Sequence, residues 1–297
     1  YAIDNAGNIS SSTIAEIFVD SLAPQITDFK ILECADSIAI DGCLVSTTTV
    51  NLVWSLTSFT INARDLDYFE LVYSSTNFST TTLIYETRST VDLKDGESYN
   101  FSLRARDKYG NWSEPSAVSL EINTKPVIIN ELAWAGTGRE TPGDEWIELY
   151  NRTNKTINLN NFVFRSEKNK PYVNLKNSIA PKGYYLMERK DDNTTDVPAD
   201  LIYGNYGPNF SLNNDYENLY LQYVARLATT TIDRVVSCNP FSWCGGSSNS
   251  YATMERYNPY ENYWYTNLEV IRNGKNRNGA IIKGTPRARN SLNYLLA

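Results

Sequence analysis

Residues 127–151 read VIINELAWAGTGRETPGDEWIELYN, and this stretch decides the fold class expected for the chain. Two apolar segments, 127–134 and 145–150, flank a loop rich in glycine and proline, the composition typical of a connection between strands. Ile147 and Leu149 fall on one face of the second segment, and the opposite face carries Trp146, Glu148 and Tyr150. The pattern predicts two β-strands, each with one face turned to a core.

Further along the chain, short motifs follow this stretch in a fixed order. After the pair Asn130-Glu131 and the run DEWIELYN from Asp144, they are LNNF at Leu159, APKGYYL at Ala180, TIDRV at Thr231, MER at Met254 and GTPRARNS at Gly284. The ordered set resembles the lamin-tail domain of bacterial proteins. This resemblance implies an immunoglobulin-like β-sandwich over residues 126–297, and it implies no reaction.

Residues 24–125 resemble a fibronectin type III domain. Leu52 and Trp54 alternate into a core, as do Phe69 and Leu71, and LKDGESY at 93–99 is similar to the tyrosine corner of such sandwiches. Residues 33–43 depart from the family pattern, and we interpret them as an inserted loop. We therefore expect an all-β chain of tandem immunoglobulin-like β-sandwiches.

A repeat at the start of the chain suggests a third, incomplete part. YAIDNAGNIS at 1–10 is echoed by RARDKYGNWS at 104–113, so a strand followed by an Asp-x-x-Gly-Asn turn occurs twice. We expect residues 1–23 to be the C-terminal remnant of a truncated upstream β-sandwich domain. The Asp4 and Asp107 side chains are expected to accept backbone hydrogen bonds within these turns.

The chain contains no histidine, which excludes Ser-His and Cys-His nucleophile pairs and histidine-based metal sites. Its net charge is −7, and the acidic excess lies in residues 1–125. By contrast, residues 270–297 contain basic residues and no acid: Arg272, Lys275, Arg277, Lys283, Arg287 and Arg289. Such a run could bind phosphates, although a solvated surface is the more common outcome.

The four cysteines lie in two close pairs, and we predict disulfides between Cys34 and Cys43 and between Cys238 and Cys244. Zinc is the competing interpretation, but neither spacing is C-x2-C and no histidine could complete a site. Disulfides indicate an oxidising compartment, so we expect an extracellular or cell-surface location. No run approaches the roughly 20 apolar residues of a membrane helix.

Two acidic groups are candidates for chemistry. The first comprises Glu131, Asp144, Glu145 and Glu148; because strand side chains alternate, we expect these carboxylates to face solvent or bind loop amides rather than to converge. The second is the loop at 191–200, which offers oxygen ligands for Ca²⁺ but lacks the EF-hand spacing, so an ordinary loop is favoured. We predict no catalytic residue, no metal and no cofactor.

Aromatic and basic residues near the end of the chain are the candidates for binding a ligand. The run YNPYENYWY at 257–265 could stack on sugars or bases, although aromatic residues of a sandwich usually lie in its core. The candidate binding residues are Tyr257, Tyr260, Tyr263, Trp264, Arg272, Lys275 and Arg277.

We therefore predict a non-catalytic extracytoplasmic spacer plus a binding or attachment module of a larger surface or secreted protein. Its partner would be an extracellular polymer or protein, with a glycan among the candidates. Two alternatives stay open: a carboxylate-dependent hydrolase acting on glycans, and nucleic-acid attachment through the basic C-terminal run.

Overall fold

The computed structural model describes residues 2–11, 20–57, 65–205, 207–225, 228–236, 238–239, 242–257 and 263–292. The described chain is nearly all β, as predicted, with two short 3₁₀ helices, Leu32–Asp36 and Pro208–Phe210. Its residues fall into two compact units. The first contains residues 1–30, 52–89 and 100–118, and the second contains residues 31–51, 90–99 and 119–297. The predicted domain limits 1–23, 24–125 and 126–297 stay predictions.

In the part of the chain that the structure describes, eight strands precede residue 125 and form two sheets, in the orders β1-β3-β6 and β2-β8-β7-β4-β5. Their bounds are β1 (Ile26–Ile31), β2 (Leu44–Val45), β3 (Thr49–Leu56), β4 (Leu66–Ser75), β5 (Phe78–Ile84), β6 (Arg88–Asp92), β7 (Ser98–Asp107) and β8 (Ser116–Ile122).

Alternate apolar side chains build the core of the first unit, as the sequence predicts. Trp54 packs edge-to-face against Phe29 and Phe69, with ring centroids 6.1 and 5.3 Å apart. On the antiparallel pair β4–β7, Leu71 lies opposite Leu103, and both are buried. Aromatic pairs of this geometry stabilise a core by about 0.5–1.5 kcal/mol beyond the area that they bury.

The repeated aspartate turn is present in both copies, and its predicted role is confirmed. Asp4 Oδ1 accepts hydrogen bonds from the backbone N–H groups of Ala6 and Asn8, both at 2.9 Å. Asp107 Oδ1 accepts the equivalent bonds from Tyr109 and Asn111 at 2.9 and 2.8 Å. The aspartates therefore hold the turns closed.

Twelve strands follow residue 125 in the described chain and belong to the second unit. They are β9 (Val127–Leu132), β10 (Trp146–Asn151), β11 (Ile157–Asn158), β12 (Phe162–Ser166), β13 (Tyr172–Asn174), β14 (Ser178–Ile179), β15 (Tyr184–Glu188), β16 (Leu201–Ile202), β17 (Leu219–Val224), β18 (Thr229–Val235), β19 (Met254–Arg256) and β20 (Trp264–Thr266).

These strands form a six-stranded sheet, β16-β15-β10-β9-β19-β20, a four-stranded sheet, β13-β12-β17-β18, and the pair β11-β14. Side chains of the two larger sheets share one core, in which Ile147 and Leu149 lie with Phe164 and Leu221. Trp146 lies on the opposite face of β10, in a smaller cluster with Leu186. The alternation predicted from residues 145–150 is thus confirmed.

Both predicted disulfides are present, with sulfur–sulfur distances of 1.89 Å for Cys34–Cys43 and 2.09 Å for Cys238–Cys244. The segment 33–43 is more than a surface insertion, and our interpretation of it as a loop needs correction. Ala39 bridges Ile157, and Asn158 donates its backbone N–H to the Ile38 carbonyl at 3.0 Å. Ile38 and Ala39 consequently lie in the core of the second unit.

In the described part of the chain, no helix has the length and apolar character needed to cross a bilayer.

Candidate functional site

The four carboxylates singled out from the sequence separate into three places. Glu131 and Glu148 are cross-strand partners on the face of the six-stranded sheet that also carries Trp146. Glu145 and Asp144 each bind other segments. All four are at most 2% exposed. The four do not all converge, but the expectation that they face solvent is wrong because all are buried. Glu131 and Glu148 also meet each other, together with a third glutamate that the sequence did not single out.

That third residue is Glu255 of β19, which lies opposite Glu131 in the antiparallel pair β19–β9. Glu131 accepts hydrogen bonds from Thr253 Oγ1 at 2.5 Å and from the Thr285 backbone N–H at 2.9 Å. Burial is the main cause that raises the pKa of Glu131 well above its usual range, and the neighbouring charges of Glu255 and Glu148 add to it.

Glu148 binds the same region of the chain. Its Oε1 accepts from Asn130 Nδ2 at 2.9 Å, and its Oε2 accepts from the Arg287 backbone N–H at 2.5 Å. Asn130 Nδ2 also donates to Asn290 Oδ1 at 2.9 Å. Burial raises the pKa of Glu148 to about 8, even though these bonds favour the ionised form. Residues of the Asn130-Glu131 pair, the DEWIELYN run and the GTPRARNS motif thus form one buried polar network.

Glu145 and Asp144 hold two other loops against the sheet. Glu145 accepts from Arg189 Nη1 at 2.8 Å and from the Leu212 backbone N–H at 2.7 Å. Burial nevertheless raises the pKa of Glu145 to about 6. Asp144 lies 3.2 Å from Lys190 Nζ and 2.5 Å from Arg277 Nε. These bonds satisfy the carboxylates within the chain, so the residues act as anchors for loops.

A second buried ion pair lies in the motifs TIDRV and MER. Arg256 Nη2 lies 2.5 Å from Asp233 Oδ2, and the two side chains are 2% and 1% exposed. Arg256 Nε donates to the Ile129 carbonyl, while Asp233 Oδ2 also accepts the Ile129 backbone N–H. Burial raises the pKa of Asp233 and lowers the pKa of Arg256 despite their contact. The pair therefore joins three strands at a desolvation cost.

The aromatic candidates do not share one environment. Tyr263 is 67% exposed, whereas Tyr257 is partly buried. Trp264 is also partly buried and lies against the Arg256 guanidinium, 4.5 Å from its carbon to the ring centroid. Tyr260 falls outside the described residues. The role of these residues in binding stays a prediction, and Tyr263 is the described member that offers its ring most openly to a ligand.

Most of the basic C-terminal run is matched by acidic side chains. Arg272 and Lys283 both lie near Glu269, at 3.6 and 2.9 Å, and Arg287 lies 2.6 Å from Asp200. Arg277 contacts Asp191 at 3.2 Å in addition to Asp144. Such pairing reduces the positive potential that the sequence suggests for this run.

Lys275 and Arg277, two of the candidate binding residues, lie beside the loop considered for calcium. Asp196 donates its backbone N–H to the Lys275 carbonyl at 2.8 Å, and its Oδ1 accepts the Lys275 N–H at 2.6 Å. The two loops enclose an open cleft of about 500 Å³, lined by Asn193, Thr195, Asp196, Lys275, Asn276, Arg277 and Gly279. The sequence named members of both loops but could not pair them.

The acids of the 191–200 loop are already engaged by the chain. Asp192 accepts the Ala199 N–H at 2.7 Å, and Asp200 accepts the Leu186 N–H at 2.8 Å. Among the described residues, no group of three or more Cys, Asp or Glu side chains is placed to hold a metal ion. The loop acids stabilise loop geometry here, and the absence of a calcium site stays a prediction.

One part of the chain is similar to a known protein family. Residues 121–237 match the family model of the Lamin Tail Domain, so the resemblance seen in the motifs is supported over that segment. This domain has an immunoglobulin-like fold. A search of the curated proteins finds no significant match.

Two solved structures show low similarity to the chain. One is a DUF4876 family protein from Bacteroides thetaiotaomicron, with 11% identity, a TM-score of 0.34, and coverage of 75% of this chain and 89% of that one. The other is the FN1–FN3 segment of chicken CNTN1, with 14% identity, a TM-score of 0.21, and coverage of 71% of this chain and 65% of that one.

Proposed function

We propose that this chain is a non-catalytic spacer and attachment part of a larger extracellular or cell-surface protein. One observation carries the proposal: Glu131, Asp144, Glu145 and Glu148 are buried and bind donors of the chain itself. A glycoside hydrolase needs a pair of carboxyl groups that reach a substrate and a water molecule. The buried network supports an architectural role for these residues.

The two disulfides support the proposed location, because such bonds persist in oxidising compartments. In this proposal the first unit contributes length, and the second carries the ligand surface. The lamin-tail match of residues 121–237 supports a binding module over a reaction centre.

For the ligand surface we propose the cleft between the loops 193–196 and 275–279. Its lining combines amide, hydroxyl and charged side chains, the groups that hydrogen-bond a polar polymer such as a glycan. Lys275 and Asn193 are exposed at its rim. Aromatic stacking at Tyr263 could add a second contact.

The test is a binding measurement on the full chain with soluble polysaccharides, peptidoglycan fragments and DNA. We expect one polar polymer to bind, and the double variant Asn193→Ala/Lys275→Ala to weaken it about tenfold, which corresponds to about 1.4 kcal/mol. Lys176→Ala is the matched control, since this lysine is exposed elsewhere on the second unit. Equal weakening by the control and the double variant would contradict the assignment.

The same titration separates the alternatives. Binding of DNA with a steep dependence on salt would favour nucleic-acid attachment through the basic run. Shortened polymer products would favour the hydrolase.

A further inference from the structure

The segment from Gly284 to Ser291 is bound to the six-stranded sheet by three buried glutamates. The backbone N–H of Thr285 donates to Glu131 at 2.9 Å, and that of Ser291 donates to Glu255 at 3.0 Å. Between them, the Arg287 N–H donates to Glu148 at 2.5 Å. We call these eight residues, 284–291, the strap. Three backbone N–H groups of the strap are therefore bound by carboxyl groups of the sheet.

The Thr285 hydroxyl lies between two of these carboxyl groups. Its oxygen is 2.8 Å from Glu131 Oε2 and 2.9 Å from Glu255 Oε1. A hydroxyl has one hydrogen and can donate it to one acceptor at a time. If both glutamates were ionised, one carboxylate oxygen would face the Thr285 oxygen with no hydrogen between them. A hydrogen bond on each side of the Thr285 oxygen needs two hydrogens, and the hydroxyl supplies one of them. The second hydrogen must therefore belong to a protonated glutamate.

The surrounding donors show which glutamate holds that proton. Glu255 also accepts from Asn267 Nδ2 at 2.6 Å and from Ser291 Oγ at 2.6 Å, together with the Ser291 N–H. Ionised carboxylates are stabilised by several donors. Glu131 Oε1 receives two donors, while its Oε2 faces the Thr285 hydroxyl. We therefore place the proton on Glu131 Oε2. This group donates to Thr285 Oγ1, and the Thr285 hydroxyl donates to Glu255 Oε1.

The charged and titratable groups around Glu131 come from each element packed against it. Two further carboxyl groups lie nearby, Glu148 on β10 and Glu255 on β19. The other groups in the network are Tyr150, Tyr184 and Tyr265 on the strands and Arg287 and Arg289 on the strap. Burial in a dry site and the neighbouring carboxyl groups disfavour a negative charge at Glu131.

We propose that Glu131 is a neutral carboxylic acid at neutral pH, that it shares its proton through Thr285 with Glu255, and that loss of this proton to solvent at alkaline pH releases the strap from the sheet. Deprotonation leaves two carboxylates competing for one hydroxyl hydrogen, so the bond between the Thr285 side chain and one of them is lost. The strap is then held more weakly.

Glutamine at position 131 tests this assignment, because its amide copies the protonated acid. In Glu131→Gln, the carbonyl oxygen can accept from Thr253 and Thr285 while the NH₂ group donates to Thr285 Oγ1. Infrared difference spectra at neutral pH should show a buried protonated carboxyl in the natural chain that this variant lacks. Hydrogen exchange of strap amides, corrected for intrinsic rates, should accelerate about tenfold at alkaline pH in the natural chain and not in the variant.

Two further variants keep the proposal testable if Glu131→Gln does not fold. Thr285→Ser retains the hydroxyl and should behave like the natural chain. Glu255→Gln removes the negative partner, so the protonated-carboxyl signal should titrate at a lower pH. The proposal is overturned if the natural chain shows no protonated carboxyl at neutral pH. It is also overturned if Glu255→Gln leaves the titration midpoint unchanged, or if Glu131→Gln and the natural chain exchange alike at every pH.

Discussion

Arg256 shows how a single buried side chain organises the second unit. Its guanidinium binds the Asp233 carboxylate and the Ile129 carbonyl and lies over the Trp264 ring. A buried pair gains little relative to a well-packed apolar pair, but removal of one partner leaves an uncompensated charge. The contribution of the pair to stability is therefore seen when one of its two partners is removed.

We predict that Arg256→Met destabilises the chain by about 3–5 kcal/mol, because Asp233 keeps its buried charge or must take up a proton. Equilibrium denaturation measures this change. Arg88→Met is the control, since the Arg88–Glu86 pair is exposed and should leave the free energy of unfolding nearly unchanged. Similar losses in both variants would contradict the structural role of Arg256.

Glu188 gives the unfolding free energy a pH dependence. Its Oε1 accepts from the Thr195 N–H at 2.9 Å and from the Thr195 hydroxyl at 2.7 Å, whereas its buried Oε2 has no hydrogen-bond partner of standard geometry among the described residues. Burial raises the pKa of Glu188 from 4.5 to about 7. The folded chain therefore binds more protons than the unfolded chain between these values, and the contribution of Glu188 to stability falls as pH rises.

We predict that Glu188→Gln flattens the decline of the unfolding free energy between pH 4.5 and about 7. Denaturation midpoints measured at several pH values give the slope. Glu114→Gln, at an exposed position, serves as the control. An unchanged slope in Glu188→Gln would show that this carboxyl group does not hold a proton in the folded chain.

Alternation along a strand did not predict that Glu131 and Glu148 share a face. The register between β9 and β10 shifts at Glu148 and Leu149, so Ile129 and Leu132 both lie in the core and Glu131 lies on the face opposite to Ile129. Alternation could not predict that Glu255 lies beside Glu131, because the pairing of β19 with β9 joins residues that are far apart in sequence. The sequence feature that could have drawn attention to Glu255 is its position in the MER motif. Nor could it predict that Arg277 is paired with Asp144, because that contact depends on how two loops meet.

At the level of strands and loops, the segment 33–43 shows where the sequence was least informative. Its disulfide was predictable from the short spacing of Cys34 and Cys43, but its partner β11 is two residues long and carries little pattern. The Tyr223 hydroxyl, which donates to the Asp36 carbonyl at 3.1 Å, adds a further contact. Pairing with β11 gives the segment a place in the core.

We predict that the double variant Cys34→Ser/Cys43→Ser destabilises the chain by about 2–3 kcal/mol, because the disulfide closes a short loop and limits the unfolded ensemble. Denaturant unfolding measures the change. Amides of Ile40 and Asn158, which hold the segment to β11, should also exchange faster. If both stability and exchange match the natural chain, the disulfide does not support this segment.

For the molecule as a whole, residues 2–11 form a small hairpin that is exposed to solvent. Ile3 bridges Ile9 in a small hairpin, and both side chains are more than half exposed. The Asp20 carbonyl accepts from Asn111 Nδ2 at 3.0 Å, which ties the end of this segment to the first unit. A two-stranded hairpin without a buried face is marginal in water.

We therefore predict rapid amide exchange within residues 2–11 of the full chain, in contrast to slow exchange on β4 and β7. Hydrogen exchange with peptide-level resolution compares the exchange rates of residues 2–11 with those of β4 and β7. Slow exchange throughout residues 2–11 would contradict the interpretation of this hairpin as weakly held.

The central claim is that the carboxylates of the second unit are structural and that the chain binds without turnover. Glu148→Gln tests it, because a glutamine amide cannot accept from both Asn130 and the Arg287 N–H, and the loss should be about 1–3 kcal/mol. Glu145→Gln should likewise lower stability at the Arg189 and Leu212 contacts.

The most direct measurement is product analysis by mass spectrometry after the full chain is incubated with polysaccharides, peptidoglycan and nucleic acids, with and without Ca²⁺ or Mg²⁺. The natural chain, Glu145→Gln and Glu148→Gln are compared, and each variant is assayed at a temperature where it remains folded. We predict no product from any of them, together with lower unfolding free energies in both variants. Reproducible product from the natural chain that disappears in either folded variant would contradict the account and establish a carboxylate-dependent enzyme.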